Sequence, residues 1–191
     1  MLTIKRAKDK RVVHALLVNL ADLPDGITLE SKELVKGTPV MEGAIIGRDS
    51  AGIGHLVKTA KVVATAGSSD TTYKVAKGNH LKVGDFVTLA VGSTAAAITA
   101  IDRDSDATFD TITVGDTLGA AAVGAVIKQA KAAAAKSTLK YEPKAMLAES
   151  YDVEGDTNIF VAAVTIGQFK EALVPAIDAE LKGLMRLIDF V

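Results

Sequence analysis

Short apolar runs separated by glycine, aspartate and serine turns fill the middle of the chain. Residues Thr72–Gln129 read TYKVAKGNHLKVGDFVTLAVGSTAAAITAIDRDSDATFDTITVGDTLGAAAVGAVIKQ. Tyr73 and Val75 alternate with polar Thr72 and Lys74, and Ile112 and Val114 with Thr111 and Thr113. A period of two puts one set of side chains on each face of a pleated strand, so both segments predict half-buried strands. The pattern predicts strands near Lys61–Ala66, Thr71–Ala76, Asp85–Val91, Ala95–Ile101, Thr108–Val114 and Ala125–Gln129. Gly92-Ser93 supplies the positive φ of a tight hairpin. Several short strands at this spacing predict a small β-barrel or sandwich, in which closure protects the sheet edges.

The flanks read differently. A strand-like run at Val12–Leu20 is followed by a turn at Asp22-Leu23-Pro24-Asp25-Gly26. Gly37, Gly43, Gly47, Gly52 and Gly54 then recur too closely for a helix, which leaves short strands joined by hairpins. Beyond the centre, KAAAAKS is too short to be a stable helix alone. Strands are expected at Ala145–Tyr151 and Ile159–Ile166 around the turn Glu154-Gly155-Asp156. Leu173, Ile177, Leu181, Leu184 and Ile188 fall three or four positions apart and predict one apolar helix face over Pro175–Ile188. Pro175 fits the first turn, and Asp178 and Lys182 have the spacing of an i,i+4 pair.

The segments LVKTAKVVA and VIKQAKAAAA flank the centre and share an xxKxAK pattern. They read as a two-stranded neck. The resulting fold class is mainly β with a C-terminal α-helix (α+β): a small β-barrel or sandwich, residues 61–130, inserted into a β-rich base domain made of residues 1–60 and 131–191.

Composition narrows the chemistry. Apolar residues make up 49% of the chain but aromatics only 4%, so small and β-branched side chains dominate, which suits packed sheets better than an aromatic-walled pocket. The absence of Cys excludes disulfides and thiolate metal sites. A net charge of −1 proposes no nucleic-acid partner, and no apolar run approaches the roughly 20 residues of a membrane helix. Lys5, Arg6, Lys8, Lys10 and Arg11 followed by VVHALLVNLA resemble a signal peptide, but His14 and Asn19 interrupt the run and no small-x-small site precedes Asp22. The expectation is a solvated basic arm feeding a buried strand. Without interleaved aromatics the arm does not support base stacking.

Candidate reactive groups are sparse, and no catalytic, cofactor-binding or metal-binding residue is assigned. His14, His55 and His80 lack the spacing of paired zinc ligands. His14 is expected to be partly buried in its strand, and His55 and His80 to have ordinary surface or hydrogen-bonding roles. Gly-x-Ser-x-Gly does not occur. Gly52-Ile53-Gly54 lacks a third glycine and a following helix, which argues against a phosphate loop. Asp102, Asp104 and Asp106 have a calcium-loop rhythm, but Ala107 stands where glycine is needed and Thr113 where a bidentate glutamate is needed. A solvated hairpin loop is preferred over a looser calcium site.

The phrases TYKVAKGNHLKVGDFV, AAAITAID and FDTITVGDTLG resemble capsid decoration and head-fibre proteins of tailed phages and prophages of Bacteroidota. VVHALLVNLADLPDG with GTPVMEGAIIGRDSAG, and the segment AESYDVEGDTNIFVAAVTIGQFKEALVPAIDAELKGLMRLIDFV, are similar to the two ends of the same family. The resemblance implies a structural virion protein, not an enzyme, made in the host cytoplasm and bound on the capsid exterior. Its implied partners are the major capsid protein and itself as a homo-oligomer, such as a trimer, or a head-fibre protein; no nucleic acid, membrane or cofactor is implied. A host-surface or carbohydrate-binding module displayed on the head, and an enzyme with an unfamiliar site, are the rival classes; Tyr73, Phe86 and Phe109 read as core more than as sugar platforms. Replacing Thr65–Lys131 by a short Gly/Ser linker is expected to leave a folded remainder by circular dichroism, whereas an unfolded remainder would argue for one continuous domain.

Overall fold

The computed structural model describes residues 13–191. Its strands form two sheets, one of six strands and one of eight. The six-stranded sheet comprises β5 (Thr59–Lys61), β6 (Thr72–Ala76), β7 (Phe86–Thr88), β8 (Ala95–Asp102), β9 (Phe109–Val114) and β10 (Val126–Ala130), in the order β5-β10-β7-β8-β9-β6. The period-two segments behave as their spacing requires. Tyr73 and Val75 of β6 are buried while Thr72 and Lys74 are exposed, and Ile112 and Val114 of β9 face the same interior. The sheet curls into a half-barrel whose edge strands return to each other. Val62 bridges Val75, and the Val63 amide donates to the Lys74 carbonyl at 2.9 Å. Tyr73, Leu81, Val87, Ile98, Ile112 and Ile127 are completely or almost completely buried within it.

The eight-stranded sheet takes its strands from both ends of the chain. β1 (Leu16–Asp22), β2 (Ile27–Leu29), β3 (Ile45–Arg48) and β4 (Gly54–Leu56) precede the insert, and β11 (Pro143–Leu147), β12 (Ile159–Val161), β13 (Ala163–Phe169) and β14 (Ile188–Phe190) follow it. The order is β1-β13-β11-β3-β4-β2-β12, with β14 parallel to β13. Only Ala162 separates β12 from β13, so the path from β13 through β2 returns to its own starting strand and wraps around Leu29, Leu34, Ile46, Leu147 and Val161. β5 and β10 run antiparallel, Lys61 opposite Val126 and Thr59 opposite Lys128, which places the two xxKxAK flanks side by side. A third cluster spans both units: Val57 and Val126 pack with Ile45, Met146, Phe169, Leu181 and Met185.

The fold is mainly β with one short C-terminal helix, and that helix is shorter than the expected Pro175–Ile188. α1 covers Ala179–Leu184. Asp178 caps it by accepting from the Leu181 amide at 3.0 Å, and of its residues only Leu181 is buried. Leu173 ends a separate 3-10 turn, and Pro175 lies in the bend between the two, not in the first turn of α1. Ile188 belongs to β14. The reason is competition from the sheet. β13 offers a free edge to Ile188–Phe190, and the Glu171 amide donates to the Val191 carbonyl at 2.8 Å. A helix that short is unstable alone, so its periodicity yields to tertiary hydrogen bonds. The Asp178–Lys182 pair does not form; Lys182 pairs with Glu171 and Asp178 with Lys128.

A second correction concerns the first strand. Its predicted span was Val12–Leu20, with burial expected; β1 is instead an exposed edge strand. The apolar run reads as buried from composition, but among the described residues β1 has a neighbour on one side only. The basic arm Lys5–Arg11 and Val12 lie outside the described residues.

Ile112 is completely buried in the insert core. Ile112→Ala is expected to cost about 2–5 kcal/mol through lost burial and a residual cavity, read by urea denaturation; a loss below about 0.5 kcal/mol would contradict the packing.

Candidate functional site

Charged and polar groups concentrate where the two β units meet. Lys58 enters the neck just before β5 and is 2% exposed. Its ammonium donates to Asp85 of the insert at 2.8 Å. Asp85 also accepts from the Gln129 side chain at 2.9 Å and from the Lys82 amide at 2.9 Å. Burial pushes the Lys58 ammonium below the usual lysine range, opposed by the Asp85 carboxylate. Lys128, on the paired strand β10, is equally sealed at 1% exposure and donates to Asp178 and Glu180 at the start of α1. Glu180 in turn accepts from the Val91 amide of the insert at 3.1 Å. Thus one buried lysine ties the neck to the insert, and the other ties the C-terminal helix to the neck.

A second network lies on the base side. The His55 ring stacks on Tyr141, centroids 4.0 Å apart and planes 10° from parallel. Its Nε2 lies 3.3 Å from Asp49, and its Nδ1 lies 3.5 Å from Glu33 Oε2. Glu33 Oε1 accepts from Lys140 at 2.7 Å and from the Tyr141 hydroxyl at 2.9 Å. Burial opposes ionisation of Glu33, but these hydrogen bonds outweigh it and hold its carboxyl below the ordinary value. Burial and the Glu33 hydrogen bond push the Tyr141 phenol up. His80 bridges the units directly: its Nδ1 accepts from the Val35 amide at 3.2 Å, and its Nε2–H donates to the Pro39 carbonyl at 3.2 Å. That pairing requires a neutral ring. Burial accordingly lowers its pKa to about 4.

Of the three histidines, His14 departs from its expected place. His14 is exposed, its side chain 63% accessible, because β1 is an edge; its Nδ1 lies 3.2 Å from Glu42. His55 and His80 are buried and take the hydrogen-bonding roles that were one of the two outcomes expected of them. No network unites the three. Gly52 lies in a turn closed by Asp49, whose Oδ1 accepts from the Ala51 and Ile53 amides, and the chain then enters β4, not a helix.

The Asp102–Asp106 loop caps itself. Asp102 Oδ1 accepts from the Asp104 and Ser105 amides, and Asp106 Oδ1 from the Thr108 amide and hydroxyl. These hydrogen bonds hold both carboxyls below the usual aspartate range. Arg103 turns inward from this loop to Asp110, at 2.6 Å, and to the Leu81 carbonyl. Asp110 is 1% exposed and also accepts from Lys77 and Asn79. Among the described residues, no three His, Asp or Glu side chains converge as a metal-holding group.

A cleft of about 390 Å3 opens between the units, walled by Val40, Ala44, Leu56, Ala60, Val174 and Pro175. Asn79 and His80 border it, but their polar atoms are already engaged with protein groups. The arrangement can hold two β units in register. Comparison with known proteins finds no family model, curated protein or solved structure that matches the chain.

The sequence reading missed Lys58, Lys128, Glu33, Asp110 and Tyr141. Two of these had a signal. The first lysine of each xxKxAK flank is the buried one, while Lys61 and Lys131 stay exposed.

His80 generates a pH prediction. Its pKa near 4 in the folded chain lies below the ordinary 6.5, so between these values the folded state binds fewer protons than the unfolded. Stability is full above about pH 6.5 and falls as pH drops toward 4, by up to about 3 kcal/mol from this group. Urea denaturation from pH 7 to 4 is expected to show this slope, and His80→Gln to flatten it; an unchanged slope in the variant would contradict the assignment.

Proposed function

We propose that this chain is an auxiliary protein of a tailed-phage head, bound to the major capsid protein on the outer surface of the shell, with the base docked and the insert projecting. The observation that carries this reading is the sealed junction. Lys58, Lys128, Asp85 and His80 spend their hydrogen-bonding capacity on joining two β units. A preformed body loses little conformational entropy on docking, and many weak repeated contacts on a lattice supply the avidity.

The surface agrees with the direction of docking. Among the described residues, the exposed Leu, Met and Phe side chains (Leu17, Leu20, Met41, Phe160, Leu173, Leu184 and Leu187) all belong to the base, and the insert exposes only valines in that size class. Apolar side chains mark an interaction surface where they lie together in one patch, and the proposal requires the base to present such a patch. The sequence likeness to decoration and head-fibre proteins points the same way. The rival sugar-binding reading is not favoured, because Tyr73 is fully buried and Phe86 and Phe109 are half-buried, which leaves the insert no open aromatic platform.

The purified chain is expected to co-sediment with undecorated heads at a saturating ratio of many copies per particle. Failure to sediment with them, or saturation at a few copies, would overturn the proposal.

A further inference from the structure

An ammonium group has three N–H donors. Among the described residues, the Lys58 ammonium donates to Asp85 Oδ2 alone, whereas Lys128, equally buried, meets two carboxylates. The Lys58 side chain is 1% exposed, so its two other donors are buried without a protein acceptor. A buried ion pair is costly when donors are left over in this way. An amide nitrogen carries one N–H, and joining the two side chains removes the excess. The pair is also aligned. Lys58 Nζ lies 2.8 Å from Asp85 Oδ2, one bond away from Cγ. Backbone hydrogen bonds anchor both residues: the Gln129 amide donates to the Lys58 carbonyl at 3.0 Å, and the Ile98 amide to the Asp85 carbonyl at 2.8 Å. The Gln129 side chain donates to Asp85 Oδ1 and the Lys82 amide to Oδ2, and both draw electron density from Cγ.

We propose that Lys58 and Asp85 condense to an intramolecular isopeptide bond between the neck and the insert. Nζ attacks Cγ and the Nζ–Cγ bond forms. One Cγ–O bond breaks, and two of the three ammonium protons leave with that oxygen as water. The third proton stays on the amide nitrogen, so atoms and charge balance with no oxidant or reductant. Burial, which holds Lys58 below the ordinary lysine range despite Asp85, favours the uncharged amine that attacks. Bulk water opposes condensation of a separate amine and acid. Holding the two in place raises their effective concentration, to about 10⁵–10⁸ M for well-aligned groups, and burial limits the water that would reverse the step. The link joins Lys58, at the entry to the neck, with Asp85, immediately before β7, and fixes the insert covalently at its root. It does not depend on the capsid reading.

Mass spectrometry of the full chain, folded, incubated and then denatured, is expected to read the mass of one water below that of the sequence. Proteolytic mapping is expected to recover a branched peptide that joins residue 58 to residue 85. Lys58→Arg keeps a cation at the site, and it is expected to read the full sequence mass, as is Asp85→Ala. Lys128→Arg is expected to retain the loss. A folded wild-type chain at its full sequence mass after prolonged incubation would overturn the proposal, whether or not the variants fold. So would a water loss that persists in Lys58→Arg, or one that maps elsewhere, such as a succinimide at Asp25-Gly26.

Discussion

Two buried lysines hold this molecule in one arrangement. Lys58 just before neck strand β5 and Lys128 on its partner β10 are each almost wholly removed from water, and each is committed to carboxylates on an element it must hold: Asp85 in the insert, Asp178 and Glu180 at the start of α1. Desolvating an ammonium is expensive, and the pair is stable only while geometry and hydrogen bonds stay intact; removing one partner typically costs roughly 3–5 kcal/mol. That asymmetry penalises any rotation of the insert on its base. His80 adds a neutral lock on the same junction, because its two ring nitrogens join the insert to base residues Val35 and Pro39.

The β units on either side are sufficient as packing bodies without chemistry of their own. Each wraps a core of branched aliphatic side chains, and the third cluster welds the neck to the C-terminal segment. Buried charges inside the insert follow the same logic. Asp110 accepts from Lys77, Asn79 and Arg103 and so fixes the β8–β9 loop to the segment just after β6. Many reactive residue types are likewise committed to structural hydrogen bonds, although Ser31 Oγ, Glu33 Oε2, His55 Nδ1 and Gln129 Oε1 are buried without a hydrogen-bond partner.

Much of the fold was legible because its signals are local. Period-two alternation placed β6 and β9 to within a residue, and the repeated xxKxAK flanks gave the neck pairing. Errors arose where a tertiary partner outweighs a local pattern. Ile188 has helical spacing from Leu184, yet its backbone is taken by β13. The apolar run through Leu17 and Leu20 signals burial, yet the described residues leave it exposed. The junction itself was nearly invisible. Lys58 meets Asp85, and Glu33 meets Lys140, across long sequence separations that no motif encodes, and a lysine's burial cannot be read without its partner.

The proposed role is that this pair of β units adheres to a repeating shell. A reconstruction of assembled particles at side-chain resolution tests it most directly. The account predicts density for this chain on the outer surface, base against the shell and insert outward, with Lys58 on Asp85 and Lys128 on Asp178 unchanged. Particles that lack the chain, or that carry it with the insert docked and the base free, would contradict it.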